Sequence, residues 1–148
     1  MKAALELMVV LIMKFEGCRL TAYQDVKGVW TIGWGETLGI KEGMVWTQAQ
    51  ADAVLRMRVS QFLLGVYKRA PMLWLEPPER AAACGSLAYN IGLGAFNAST
   101  VKRKTNDGEW EAAANAFLLW NKSGGRVYRG LTLRRQRERG VYLSASQS

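Results

Sequence analysis

Apolar residues recur at helical spacing through most of the chain, with one interruption near its start. Leu5, Met8, Val9, Ile12 and Met13 fall at i, i+3, i+4, i+7 and i+8, the stripe of an amphipathic helix. Glu16 continues that stripe, and Gly17 supplies a stop. Then the period changes. Alternation around a Lys27-Gly28 turn, with Val29, Trp30, Thr31 and Ile32 beyond it, predicts a small hairpin. Helical spacing returns at Thr47-x-x-Gln50, a capping box that opens a helix from about Gln48 to Lys68 through Val54, Leu55, Met57, Phe62 and Leu63. Pro77-Pro78 starts the next helix, Glu79 to Ile91, ended by Gly92. Ser99 caps a short basic helix that stops near Gly108. Glu109 to Asn121 follows, with Trp110, Ala113, Ala114, Phe117, Leu118 and Trp120 as its packing set. Gly124-Gly125 breaks the chain before a last helix, about Leu131 to Leu143, that packs through Leu131, Leu133, Val141 and Leu143. The prediction is an α+β, mostly helical molecule. A small hairpin lobe, roughly 17–60, faces a helical lobe made of 61–148 with residues 1–16 packed onto it.

The helix-to-hairpin boundary also carries candidate chemistry. A carboxyl at the buried end of an apolar face is desolvated, which raises its pKa as a general acid requires, and Glu16 stands at such an end. Asp25, beside the hairpin turn, is expected to be solvated and ionised. Thr31, six residues later, offers a hydroxyl that can both donate to and accept from a water. Two carboxyl groups in unlike surroundings can divide the labour of cleaving a glycosidic bond, one donating a proton while the other steers water. The plainer reading of the same residues is a solvated charge at a helix end and an aspartate that serves its turn.

The pattern Glu16-x8-Asp25-x5-Thr31, followed by Ile-Gly-x-Gly, resembles the active-site signature of phage-type lysozymes, the endolysins of glycoside hydrolase family 24. Two later blocks resemble the same family: Ser86 to Thr100, with its Asn-x-Gly-x-Gly-x-Phe segment, and Ala114 to Trp120 followed by Gly130 to Glu138. Together they cover nearly the whole chain. The resemblance implies a lysozyme-like fold with a cleft between the lobes, and three catalytic groups: Glu16 as acid, Asp25 as second carboxylate and Thr31 as water-orienting hydroxyl. It implies that Phe96, Ser99 and Thr37 border the saccharide cleft, and that Arg134 approaches Glu16. The activity implied is hydrolysis of the β-1,4 bond between N-acetylmuramic acid and N-acetylglucosamine in bacterial peptidoglycan, with inversion, releasing phage progeny by host lysis. No cofactor or metal is implied. Glu36 departs from the pattern, since the family commonly has histidine there.

Composition narrows the alternatives. The 148 residues contain no histidine, which removes Ser-His-Asp and Cys-His nucleophile systems and histidine-built zinc sites. A net charge of +8 draws the chain to polyanions such as peptidoglycan, teichoic acids, lipopolysaccharide or nucleic acid. The basic run Arg126, Arg129, Arg134, Arg135, Arg137 and Arg139 reads first as solvated charge on a packed helix, and no DNA-binding motif accompanies it. Nucleic acid is therefore not an expected partner. Cys18 and Cys84 are expected to be free thiols. Met8 to Met13 is far short of a bilayer span and makes a poor signal peptide, so no stable membrane insertion is expected. The expectation is a monomer held in the host cytoplasm until a holin releases it to the periplasm and cell wall. Of the six tryptophans, Trp30 and Trp34 flank Thr31 and are the cleft candidates, with packing their first role. A wall-binding module without activity, a basic nucleic-acid binder and a lytic transglycosylase are the competing classes. The last would need Glu16 but neither Asp25 nor Thr31.

Overall fold

The computed structural model describes residues 1–147. Helix α1, Lys2–Phe15, buries Ala4, Met8, Val9, Leu11 and Ile12. It ends at Glu16 itself, whose extended backbone (φ −93°, ψ 131°) leads the chain out while its N–H still reaches the Ile12 carbonyl. Gly17 adopts no left-handed conformation, so the helix stop predicted there falls one residue earlier. Strands β1 (Arg19–Gln24) and β2 (Trp30–Gly33) pair antiparallel, with Tyr23 opposite Thr31 and Gln24 opposite Trp30. Gly28 takes the positive φ of 80° that closes the turn between them.

Helix α2, Gln48–Arg69, begins at the capping box, in which the Thr47 hydroxyl and the Gln50 side chain exchange hydrogen bonds with each other's backbone N–H. Its start lies against β2 and its length against α1 and α3, so it ties the hairpin to the helices. Helix α3, Pro78–Ile91, is the centre of the molecule, with every residue from Arg80 to Ala88 buried. Small residues permit that. A Cβ on Gly85 would stand 2.4 Å from Met8 Sδ, so glycine there sets how closely α1 approaches α3. Gly92 (φ 91°) ends α3 and admits the short α4, Leu93–Asn97. Helix α5, Thr100–Asn106, follows the Ser99 cap.

Two predicted elements differ. The helix expected over Glu109 to Asn121 is α6, Trp110–Ala116, after which Phe117–Leu119 tightens into a 3₁₀ turn that seats Phe117 in the core. The break at Gly124-Gly125 is a hairpin: β3 (Lys122–Ser123) and β4 (Arg126–Val127) pair across two glycines at φ 58° and 78°. A two-residue loop with both φ values positive suits strand twist, and glycine meets that demand without strain. Helix α7, Arg129–Ser144, then returns over α3 and α6. Its packing face is not the apolar set expected from sequence. Leu133 is 49% exposed, and Leu131, Val141 and Leu143 are half-buried. The residues α7 buries are Arg134, Arg135, Glu138 and Tyr142. Among the described residues no helix is long and apolar enough to cross a membrane, and Cys18 and Cys84 are free thiols.

Candidate active site

Glu16 sits where α1 hands over to the hairpin, with its side chain 30% exposed. Its setting is an ion pair rather than the purely apolar pocket implied by the stripe. Arg134 Nη1 donates to Glu16 Oε1 at 2.9 Å, and the guanidinium lies 5.3 Å from the centre of the Phe15 ring. Oε2 makes no hydrogen bond among the described residues. Gly35, at φ 101°, lies beside it, and a Cβ there would stand in ordinary contact at 3.7 Å.

Arg134 is itself held from behind. Its Nη2 donates to the Ser86 carbonyl at 3.3 Å, and its Nε reaches Glu138 Oε2 at 3.4 Å. Glu138 is fully buried and pairs closely with Arg135, Nε to Oε1 at 2.6 Å, while the Ser86 hydroxyl donates to Oε2 at 2.5 Å. Burial pushes the Glu138 carboxyl above the usual range, against the opposing pull of Arg135, the Ser86 hydroxyl and Arg134. Arg135 anchors the cluster through Asn90 Oδ1 (2.8 Å) and the Trp120 carbonyl (3.2 Å). Arg134, Arg135 and Glu138 thus form one buried cluster of ion pairs that meets the part-exposed Glu16 through Arg134.

Asp25 presents a different geometry. Its Oδ1 accepts from the N–H groups of Lys27 (2.8 Å) and Val29 (2.9 Å), which fixes the carboxylate on the exposed turn. Oδ2 makes no hydrogen bond among the described residues. Thr31 is buried, and its hydroxyl donates to the Val29 carbonyl at 3.0 Å, so its oxygen is left as an acceptor. Two open depressions adjoin Glu16. One, of about 340 Å³, is bordered by Gly35, Thr37, Leu38, Phe62 and Tyr89. The other, of about 740 Å³, is bordered by Phe15, Val26, Tyr128, Leu131 and Arg134. Glu16 itself lines neither, but its neighbour Gly35 borders the first and its partner Arg134 the second.

The remaining site residues divide. Thr37 is exposed and borders the smaller depression. Phe96 and Ser99 do not line either one. The Phe96 ring has no accessible surface and belongs to the core, and the Ser99 hydroxyl caps α5, accepting from Lys102 N at 3.1 Å and donating to the Phe96 carbonyl at 2.6 Å. Their place in a sequence motif reflects the turn between α4 and α5 rather than a free surface. Trp34 is anchored by its indole N–H to Asp52 Oδ1 at 2.8 Å, which is a packing role. Glu36 grips Arg58 with both oxygens, at 2.7 and 3.0 Å, and accepts from the N–H groups of Thr37 and Leu38. Burial raises its carboxyl, but the Arg58 hydrogen bonds and those backbone donors outweigh it and hold Glu36 below the usual carboxylate range. Arg134 does approach Glu16 as the resemblance implies, while sequence reasoning missed the Glu36–Arg58 pair and the burial of Arg135 and Glu138. Tyr89, whose hydroxyl burial pushes to about 12, donates to the Trp34 carbonyl at 3.2 Å.

Comparison with known proteins gives a consistent result. The family model described as phage lysozyme matches residues 13–138. An endolysin of Bacillus phage B103 is 41% identical over 138 residues, covering 90% of this chain and 51% of the relative, so the chain spans about half of that protein. An endolysin of Acyrthosiphon pisum secondary endosymbiont phage 1 is 40% identical over 142 residues, covering 92% and 94% of the two chains. Among solved structures, the muramidase domain of SpmX from Asticaccaulis excentricus superposes with a TM-score of 0.81 at 34% identity, covering 92% of this chain and 94% of that one.

Proposed function

The chain belongs to the phage lysozyme family, and from that premise we propose that it is an endolysin hydrolysing the β-1,4 bond between N-acetylmuramic acid and N-acetylglucosamine in peptidoglycan. Glu16 is the general acid. Arg134 holds one of its oxygens, which leaves Oε2, beside Gly35, to carry the proton to the glycosidic oxygen. That half-committed carboxyl, with one oxygen held by Arg134 and the other beside Gly35, is the observation that carries the reading.

Asp25 and Thr31 hold the attacking water. Since the Thr31 hydroxyl donates its hydrogen bond to the Val29 carbonyl, it can only accept from that water, and the Asp25 carboxylate also accepts. A water donating to both keeps a lone pair for the anomeric carbon, and the reaction inverts the configuration there. Thr37 borders the saccharide-binding surface at the smaller depression. We further read the protein as a monomer of two lobes, about 17–60 and 1–16 with 61–148, that waits in the host cytoplasm and depends on a holin for access to the wall. The endolysin names of its relatives support peptidoglycan as the substrate.

The test is turbidity clearing of purified peptidoglycan by the intact protein and Glu16→Gln, with the product anomer followed by NMR. Loss of general-acid catalysis predicts a fall of about 10²–10⁴-fold in the variant, and inversion predicts the α-anomer as the first product. A Glu16→Gln protein that clears walls at the parent rate overturns the assignment of the acid.

A further inference from the structure

One arginine serves two carboxyl groups at the heart of the site. Arg134 reaches outward with Nη1 to Glu16 Oε1 at 2.9 Å and inward with Nε to Glu138 Oε2 at 3.4 Å. Counted as charges, Glu16, Glu138, Arg134 and Arg135 sum to zero. Glu138 lies one turn along α7 from Arg134 and has no accessible surface, so solvent cannot screen it from its neighbours. We propose that Glu138 is a positioning residue that divides the charge of Arg134 between itself and Glu16 and thereby sets the upper pH limit of the reaction. This rests on Glu16 being the general acid.

The physics follows from that shared guanidinium. The ionised form of Glu138 balances part of the positive charge that Arg134 and Arg135 bring to the site, so less of that charge falls on the Glu16 carboxyl. Without the Glu138 charge, Arg134 and Arg135 leave two uncompensated positive charges beside Glu16 instead of one. An uncompensated arginine favours the ionised carboxylate, which has no proton to give. The groups facing Glu138 are few. Arg134 and Arg135 come from its own helix, and Ser86 and the Cys84 thiol, itself pushed to about 12 by burial, come from α3. Facing Glu16 are Arg134 from α7 and Tyr89 from α3, with Glu36 and Arg58 acting on Tyr89 from the hairpin side and α2. None of these offers a second negative charge to replace Glu138 behind Arg134.

Two variants test the idea through the basic limb of the pH–rate profile on peptidoglycan. Glu138→Gln keeps the size and one acceptor oxygen but removes the charge, and the basic limb should move to lower pH by about one unit. Ser86→Ala removes the hydroxyl that steadies ionised Glu138, and should move the limb the same way by less; it carries the test if the glutamine variant does not fold. Glu138→Asp, which restores the charge, should bring the limb back toward the parent. A purely structural role predicts lower stability or rate with the limb unmoved in Glu138→Gln and Ser86→Ala, and that result overturns the proposal, as does a limb that moves upward. Glu16→Gln, run alongside, separates the premise. If it is inactive while the limb stays fixed in the other variants, the coupling fails and the acid assignment stands; if it is active, the acid assignment fails and takes the coupling with it.

Discussion

Arg134 is the residue that gives the site its character, because its guanidinium is almost wholly enclosed, 5% exposed, and still touches a carboxyl that solvent can reach. Its partner is 118 positions away, and in the sequence it sits among five other arginines of the same basic run. Charge pattern alone assigns such a run to solvent, and for Arg134 and Arg135 that assignment is wrong. What redeems them is Glu138, four and three positions on, since buried charges persist where they are paired. Glu16, Asp25 and Thr31, by contrast, are readable as candidates from spacing, because the helix end and the tight turn that place them are local. Glu36 is a further residue-level lesson. It stands where the family commonly has histidine, and Arg58 from α2 accounts for it as a two-pronged ion pair at 11% and 24% side-chain exposure. Glu36→Gln should cost about 1–2 kcal/mol, between the range for surface and for buried pairs. The folded carboxyl lies below its ordinary value of 4.5, so the contribution is complete above that value and is lost as pH falls through the folded one. Thermal unfolding of parent and variant across pH checks this: the two should differ at neutral pH and converge in acid.

At the scale of elements, the helices with local punctuation were the legible ones. The capping box of α2, the prolines before α3 and the Ser99 cap of α5 each satisfy backbone groups within a few residues, and each boundary falls within a residue or two of its prediction. The elements that slipped are set by distant contacts. Helix α6 ends early because Phe117 turns into the core formed by other helices, and the β3–β4 hairpin was taken for a simple break although Gly-Gly between short strands is a turn signal. The α1–α3 contact matters most for the site, because α1 delivers Glu16. Gly85→Ala would push a methyl against Met8 in a fully buried seam. Overpacking there should cost about 1–3 kcal/mol, seen as a lower denaturation midpoint at unchanged m-value. If Gly85→Ala is as stable as the parent, the seam is looser than these contacts imply.

At the scale of the whole molecule, the lysozyme-like fold and the charge tell different stories. The fold was readable because three motif blocks, spread over nearly the full length, agree with one helix-and-hairpin order. The cleft was not, since the two depressions near Glu16 are formed by α1, the hairpins, α2, α3 and α7 together. The net charge of +8 acts on approach to an anionic wall rather than on bond cleavage. Raising salt from about 0.1 M to about 1 M shortens the screening length from about 10 Å to about 3 Å. KM on intact walls should then rise several-fold while kcat holds; a kcat that falls in step would place the salt effect in the site instead.

The central claim, that Glu16 directs hydrolysis of the glycan strand by water, is tested most directly by digesting purified peptidoglycan in heavy-oxygen water and analysing the soluble fragments by mass spectrometry. One heavy oxygen should appear at each new muramic-acid reducing end, with fragment release falling about 10²–10⁴-fold in Glu16→Gln. Unlabelled anhydro-muramic ends, or labelled fragments released equally by the variant, would contradict it.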